Sequence, residues 1–401
     1  MSKLTEYKLD ELYEMGSGIS TKPEQAGHGA PFVSFSSIYN NAILPDELPD
    51  LMDTTKEEQK KYSVKKGDIL LTRTSETLDE LAMSSVAVKD YPNATFSGFA
   101  KRLRPLQDNV TYDKFMAYFM RSDYFRKIVN CKAVMTLRAS FNEEIFSYIK
   151  VLLPDYDQQV KSGDLFWDIE QKIRNNNKIN AELESMARTI YDYWFLQFDF
   201  PDENGKPYKS SGGKMVWNEE LKREIPEGWK VKKIGDVAEL YQPQTIGEKD
   251  FVSDGAYNVY GANGIVGKYN KYNHVNNEIA ICCRGASCGR FLMTQPYSWI
   301  TGNAMVVAPK EQYGKEYIYY GLSYEKISPF ITGSAQPQIT RANLENMLIV
   351  IPDGEIVKLF EESALERRKY MQNIFRENQE LTSLRDFLLP LLMNGQVGFK
   401  N

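Results

Sequence analysis

Apolar residues recur every three or four positions over two long stretches of this chain. The first seam runs Ile169, Ile173, Asn176, Asn180, Leu183, Ala187, Ile190, Trp194. The second runs Ile356, Phe360, Ser363, Arg367, Tyr370, Ile374, Glu377, Leu381, Leu384, Leu388. Alternation of four and three is the coiled-coil period and predicts two long helices. An apolar run ending in Pro-Asp precedes each, "VLLPD" at 151–155 and "IVIPD" at 349–353. Asp155 and Asp353 are placed to cap the first turns, with Gln158 as a capping-box partner. Pro390 is expected to stop the second helix. Polar residues inside both seams cost stability but fix register and partner. That suits two helices packed on each other as a spacer better than two helices on separate globular bodies. About 35 residues of helix span roughly 50 Å.

The stretches before the helices alternate like strands. In residues 1–154, "PFVSFSSIYNNAIL" reads as a strand and loop and "ATFSGFAKRLRP" as a strand closed by Pro105, and Ile69–Leu71 is an apolar strand that follows a polar turn. "YDKFMAYFMRSDYFRKIV" has helical spacing, with Phe115, Tyr118, Phe119 and Phe125 near one face as core residues. Residues 201–228 are rich in Gly, Ser and Lys and read as a connector.

Beyond the connector the first pattern returns. "YKLDEL" at 7–12 is echoed by "WKVKKI" at 229–234, "PFVSFSSIYNNAIL" loosely by "YNVYGANGIVGKYN", and "GDILLTRTS" at 67–75 by "NEIAICCRGAS" at 277–287. "FSGFAKRLRP" at 96–105 matches "ITGNAMVVAP" at 300–309, keeping Gly98/Gly302, Ala100/Ala304 and Pro105/Pro309. "DKFMAYFMRS" and "SFNEEIFSYIKVLLPD" find counterparts in "GKEYIYYGLS" and "QITRANLENMLIVIPD". Six matches in one order describe a tandem duplication. The expected class is α+β (mixed α/β). Two homologous globular domains, 1–154 and 229–352, alternate with long helices at 155–200 and within 353–401. An antiparallel coiled coil between those helices would give internal pseudo-two-fold symmetry.

Composition narrows the function. A length of 401 residues allows two or three domains. The charged opening and the absence of any run of ~18 apolar residues predict neither signal peptide nor membrane span. Cys131, Cys282, Cys283 and Cys288 lack zinc-ligand spacing and form no disulfide framework, so a cytoplasmic setting without structural metal is expected. The net charge of −5 argues against nucleic acid as a partner. Residues 155–200 carry most of it, with 5 basic and 9 acidic side chains, which leaves the globular segments near neutral.

Enzyme motifs are missing. Pro-Asp at 154–155 with "EQK" at 170–172, and at 201–202 with "ELK" at 220–222, formally match a metal-nuclease pattern. One set lies on the predicted helix and the other in the connector, where no strand pair gathers the carboxylates. There is no P-loop, no G-x-S-x-G elbow and no Asp/Asn-Pro-Pro-aromatic tetrapeptide. No chemistry is expected from this chain alone.

Three strings then carry a family likeness: "ARTIYDYWFLQFDF" at 187–200, "NGKPYKSSGGKMVWNEELKREIPEGWKVKKIGD" at 204–236, and "LRDFLLPLLMNGQV" at 384–397. Over essentially its whole length the chain resembles the specificity subunit of type I restriction–modification systems. The resemblance implies a non-catalytic subunit that binds double-stranded DNA. Each globular domain would read one half of an interrupted target. The coiled coil would set the spacing and dock two methyltransferase subunits, with restriction/translocase subunits joining for cleavage. S-adenosylmethionine, ATP and Mg would belong to those partners, and this chain would carry no cofactor. The competing reading, favoured by the mild acidity, is a two-headed protein-binding adaptor.

Base contacts are sought in loops bearing Arg, Asn, Gln, Ser and Thr, since Arg pairs with guanine and Asn or Gln with adenine. The first domain offers Arg73, Thr74 and Ser75, then Lys101, Arg102 and Arg104, then Arg138 and Ser140. The second offers Asn263, Arg284, Ser287, Arg290, Asn303, Gln336, Gln338 and Arg341. Some would contact phosphate rather than bases. The coiled-coil and docking set is Ile169, Ile173, Leu183, Ala187, Ile190, Trp194, Phe195, Ile374, Leu381, Leu384 and Leu388. Tyr191 joins Trp194 and Phe195 in an aromatic clump suited to internal packing, to docking, or to both.

Overall fold

Ile69, Leu70 and Leu71 offer no polar side to turn outward, so their strand must be covered on both faces. It is, in the computed structural model of the chain, which describes residues 4–75, 81–132, 139–261, 264–285, 287–333 and 336–399. The chain divides into two units, residues 1–176 with 377–401, and residues 177–376. The division falls inside both long helices, so each unit holds part of each.

In the first unit an antiparallel sheet runs Tyr13–Ser17, Ala100–Pro105, Ile69–Thr72, Ser84–Val86. A three-stranded sheet joins Ala26–Val33 to Asp50–Met52 (antiparallel) and to Thr95–Phe96 (parallel). A ribbon pairs Leu4–Lys8 with Lys150–Pro154, the strand that leads into the first long helix. The predicted aromatic helix is broken in two, Asp113–Phe119 and Asp123–Lys132. Ser122 makes the break, its hydroxyl donating to the Phe119 carbonyl and accepting from the Phe125 amide. Phe115, Tyr118, Phe119 and Phe125 are core residues, as their spacing indicated. The polar turn before Ile69 contains a short helix, Lys56–Lys61, capped reciprocally by Thr55 and Glu58.

The second unit repeats this frame. Ala238–Tyr241, Ala304–Pro309, Ile279–Cys282 and Phe291–Met293 form its antiparallel sheet. Tyr257–Gly261 pairs antiparallel with Gly264–Tyr269 and parallel with Trp299–Ile300. Lys230–Lys233 pairs with Leu348–Ile351, ahead of the second long helix. Two registers depart from the sequence match. Val33 pairs with Phe96 and Tyr260 with Ile300, so "PFVSFSSIYNNAIL" aligns one residue further along. The opening ribbon is shifted more. The Leu9 amide donates to Ile149 and the Ile234 amide to Met347, so Leu9 corresponds to Ile234. "YKLDEL" therefore aligns three residues further along than its aromatic start suggested. The backbone ladder decides, because each buried N–H needs its carbonyl.

The long helices are Tyr156–Tyr191, continued by a π-helical turn Asp192–Leu196, and Gly354–Met393. Asp155 accepts from the Gln158 amide at 3.0 Å and Asp353 from the Glu355 amide at 2.9 Å. The Gln158 side chain does not close a capping box. It exchanges hydrogen bonds of 2.8 and 3.1 Å with the Phe399 backbone. Pro390 does not end its helix, which continues to Met393. The carbonyl that loses its donor there belongs to exposed Asp386, where water can replace the bond.

Within each unit the helix segments run antiparallel. In the first, Glu170 meets Arg385 at 3.4 Å, and buried Asn176 donates to Glu377 and Asn378 at 2.8 Å each. In the second, Phe360 packs on Tyr191 and Phe195 with ring centroids 5.8 and 5.2 Å apart. Ile169, Ala187, Phe195 and Ile374 are buried, and Ile173, Leu183, Ile190, Trp194, Leu381 and Leu388 half-buried. The second seam is partly misplaced. Ser363 and Tyr370 are exposed and Leu384 is 46% exposed, while Val357 and Ala364 are buried. A straight helix drifts off a strict seven-residue repeat by ~20° per heptad, enough to move the covered face by one position.

Residues 201–228 are no bare connector. They form a hairpin, Met215–Asn218 with Arg223–Pro226. Phe200 lies between Tyr208 and Trp229, stacked at 4.6 and 5.0 Å. Asp199 accepts from the amide and hydroxyl of Ser210.

Candidate nucleic-acid interface

The strands Ile69–Thr72 and Ile279–Cys282 end at corresponding places, and the chain that leaves them meets the same neighbours. In the first unit the Arg73 amide donates to Phe99 and the Arg73 carbonyl accepts from Phe141, both at 2.8 Å. Thr74 and Ser75 then pair with Ser140 and Ala139. In the second unit the Cys283 amide donates to Asn303 at 3.2 Å and its carbonyl accepts from Ile339 at 3.0 Å. Arg284 then pairs with Gln338. The strand-end rims therefore correspond residue by residue: Arg73 with Cys283, Thr74 with Arg284, Phe99 with Asn303, Ser140 with Gln338. Below each rim sits a glycine that no other residue could replace without a shift. A Cβ on Gly98 would lie 3.0 Å from the Ile19 carbonyl, and on Gly302 2.5 Å from the Thr245 hydroxyl.

The candidate contacts divide by what already holds them. Arg73 is exposed, Thr74 and Ser140 are half-buried at the first rim, and Ser75 belongs to the same ribbon. Lys101, Arg102 and Arg104 are taken up by their own fold. Lys101 is buried between Ser17 (3.0 Å) and Glu143 (3.3 Å). Arg102 donates to the Ser63 carbonyl at 2.7 Å and lies over the Phe96 ring, and burial with Arg104 nearby lowers its pKa. Arg104 grips fully buried Asp68 with two bonds of 2.7 and 2.6 Å, and that carboxylate raises its pKa. The sequence marked these three as cationic, but the Asp68 well that captures Arg104 is formed only by strand pairing. Arg138 lies outside the described residues, as does Asn263.

The second rim is richer in hydrogen-bonding side chains. Arg284, Asn303, Gln336 and Gln338 are exposed there. Ser287 and Arg290 close a turn onto the same strand end, where the Arg290 carbonyl accepts from the Cys282 amide at 3.0 Å. Arg341 is exposed but pairs with Glu345 at 2.6 Å, an interaction that raises its pKa. Burial holds Cys282 and Cys283 in the thiol form, the latter with its pKa pushed up to about 11. Among the described residues no group of His, Cys, Asp and Glu is placed to hold a metal ion. Three residues were not singled out from the sequence. Phe99 is 67% exposed at the first rim, and Gln242 and Gln244 are exposed on the segment that crosses Gly302. The Gly98/Gly302 repeat was the signal that could have drawn attention to them.

Two copies of one sheet frame, each ending in a different polar rim and each packed on segments of a helix pair, define a duplicated recognition protein. The family model for the type I restriction modification DNA specificity domain matches residues 1–185 and 226–364, and the chain belongs to that family. It is thus a specificity subunit of the type I restriction–modification class with two recognition domains, and that class recognises DNA rather than catalysing a reaction. The chain is similar to the type I restriction enzyme HindI specificity subunit of Haemophilus influenzae, with 21% identity covering 99% of this chain and 100% of that one. It is also similar to the MjaIX specificity subunit of Methanocaldococcus jannaschii, with 23% identity covering 97% and 92%. In fold it resembles the type I restriction–modification S subunit from M. genitalium, with a TM-score of 0.62 at 14% identity, covering 98% and 96% of the two chains. Nothing in these likenesses favours the protein-binding adaptor. Among the described residues no helix is long and apolar enough to cross a membrane.

Proposed function

We propose that each unit reads one half of an interrupted double-stranded DNA target through its rim, and that the paired helices set the gap. The observation that carries this reading is the rim correspondence: identical backbone bonding holds Arg73, Thr74, Phe99 and Ser140 in one unit and Cys283, Arg284, Asn303 and Gln338 in the other. A shared frame with unlike side chains suits two unlike half-sites. Exposed Leu384 and Phe387 on the second long helix suit docking of methyltransferase subunits. Those subunits, and the restriction/translocase subunits, would bring S-adenosylmethionine, ATP and Mg, in the cytoplasm.

Genome-wide adenine methylation, compared with and without this gene, tests the proposal. A two-part interrupted motif should vanish on deletion. Replacing residues 1–154 by those of a relative should change one half of the motif only. Inserting four residues after Asn177 and four after Arg376 adds ~6 Å to each helix and should lengthen the gap by about one or two base pairs. Methylation that is unchanged by deletion, with the methyltransferase expressed, would refute the reading.

A further inference from the structure

At one rim position the two units put opposite chemistry on the same backbone. Phe99 and Asn303 each follow the crowded glycine, and each offers its carbonyl to the residue leaving the central strand. The first of these tips is firmly held. The Gly98 amide donates to Ile19 at 2.7 Å, the Phe99 amide to the Ser97 hydroxyl at 3.2 Å, and the Arg73 amide to the Phe99 carbonyl at 2.8 Å. An isolated exposed apolar side chain is ordinary on a protein surface. This one differs, because the Gly98–Phe99 tip that carries it is fixed by three bonds beside an exposed arginine, in a unit whose counterpart carries asparagine there.

We propose that Phe99 reads a base, its ring packing on the C5-methyl group of a thymine in the major groove, while Asn303 pairs with the N6/N7 edge of an adenine. This rests on the reading that each unit recognises a half-site. A phenyl ring neither donates nor accepts a hydrogen bond, so it distinguishes bases only by an apolar feature. In the major groove the thymine methyl is that feature, and asparagine suits adenine. Arg73, bonded to the same tip, has the chemistry for guanine in the same groove.

The test uses the full chain assembled with its methyltransferase, and duplexes carrying the motif found by methylation mapping. Each thymine of the half read by residues 1–154 is replaced in turn by uracil, which removes only the methyl. One position should lose about three- to fivefold in affinity, the worth of one buried methyl. Phe99→Ser should bind the thymine duplex that much more weakly and be indifferent to uracil there, while Phe99→Leu keeps part of the effect. Asn303→Ala should leave the uracil effect intact. A flat scan, or a uracil penalty that persists in Phe99→Ser, overturns the proposal. A flat scan with 2-aminopurine fluorescence that depends on Phe99 would indicate a ring wedged between bases instead, and also overturns it. If scrambling that half changes nothing, the half-site reading itself has failed and the proposal falls with it.

Discussion

The helices beneath the two rims show how far a duplicated frame can diverge inside. Phe115 of the first unit is fully buried and stacks on Phe119 at 5.7 Å. Its counterpart in the second is Glu316, only 1% exposed. The carboxylate is matched in full, with both oxygens accepting from Arg368 at 2.9 and 2.8 Å, and the guanidinium lies over the Tyr319 ring. A buried charge is tolerable only when paired and hydrogen-bonded. The comparison teaches that strand register and backbone bonding define this frame, and that core chemistry can change beneath it if every polar atom finds a partner.

The sharpest way to break the comparison is to remove one side of that pair. Arg368→Ala leaves Glu316 uncompensated and should cost about 3–5 kcal/mol in urea unfolding. The double variant Glu316→Phe/Arg368→Leu, which gives position 316 the first unit's phenylalanine and removes the unpaired charge, should recover most of that loss. If the single change proves harmless, the pair is not what holds the second unit's helix in place.

Next in size is a pH effect confined to the second unit. Glu361 accepts from the Tyr317 amide at 2.7 Å, but burial outweighs that bond and pushes its pKa up to about 7 from 4.5. The folded state holds the proton more tightly than the unfolded chain. This contribution is therefore complete below about pH 4.5 and is lost as pH rises through about 7. Glu361→Gln should remove this fall in stability between pH 5 and 8 and raise stability at pH 8 by about 3 kcal/mol, measured by denaturant titration at several pH values. Wild-type and Glu361→Gln curves of equal slope over that window would contradict the buried carboxyl.

A smaller change addresses the rims. Arg284→Ala should weaken cognate DNA binding by about tenfold, or ~1.4 kcal/mol, and relax one base of only the half read by the second unit. Methylation mapping of the variant would expose any change in the other half. Smallest of all, Leu384→Ser should alter stability by less than about 0.5 kcal/mol, because the side chain is already exposed. Its effect should appear in co-purification with the methyltransferase. A large loss of stability would mean that this residue belongs to the helix seam after all.

Much of this was legible in the order of residues. Period-two and period-seven patterns mark strands and long helices because side-chain direction follows backbone geometry alone. The paired Gly98 and Gly302 showed the duplication because close backbone approach tolerates little else. The family strings carried the DNA specificity assignment that no composition argument could reach, since net charge pointed the other way.

Other features depended on what folding brings together. Lys101 and Arg104 look like free cations until folding sets them beside Glu143 and Asp68, far away in sequence. Pro390 should break a helix, and does not, because the carbonyl it deprives belongs to a residue facing water. Leu384 fits the heptad and lies outside the seam because helical twist accumulates along forty residues. Phe99 is unremarkable in sequence and conspicuous once three hydrogen bonds fix the tip that carries it. Local periodicity is set by neighbours along the chain. Whether a charge is free, a ring exposed or a bond replaceable is set by neighbours across it, and these only the tertiary structure supplies.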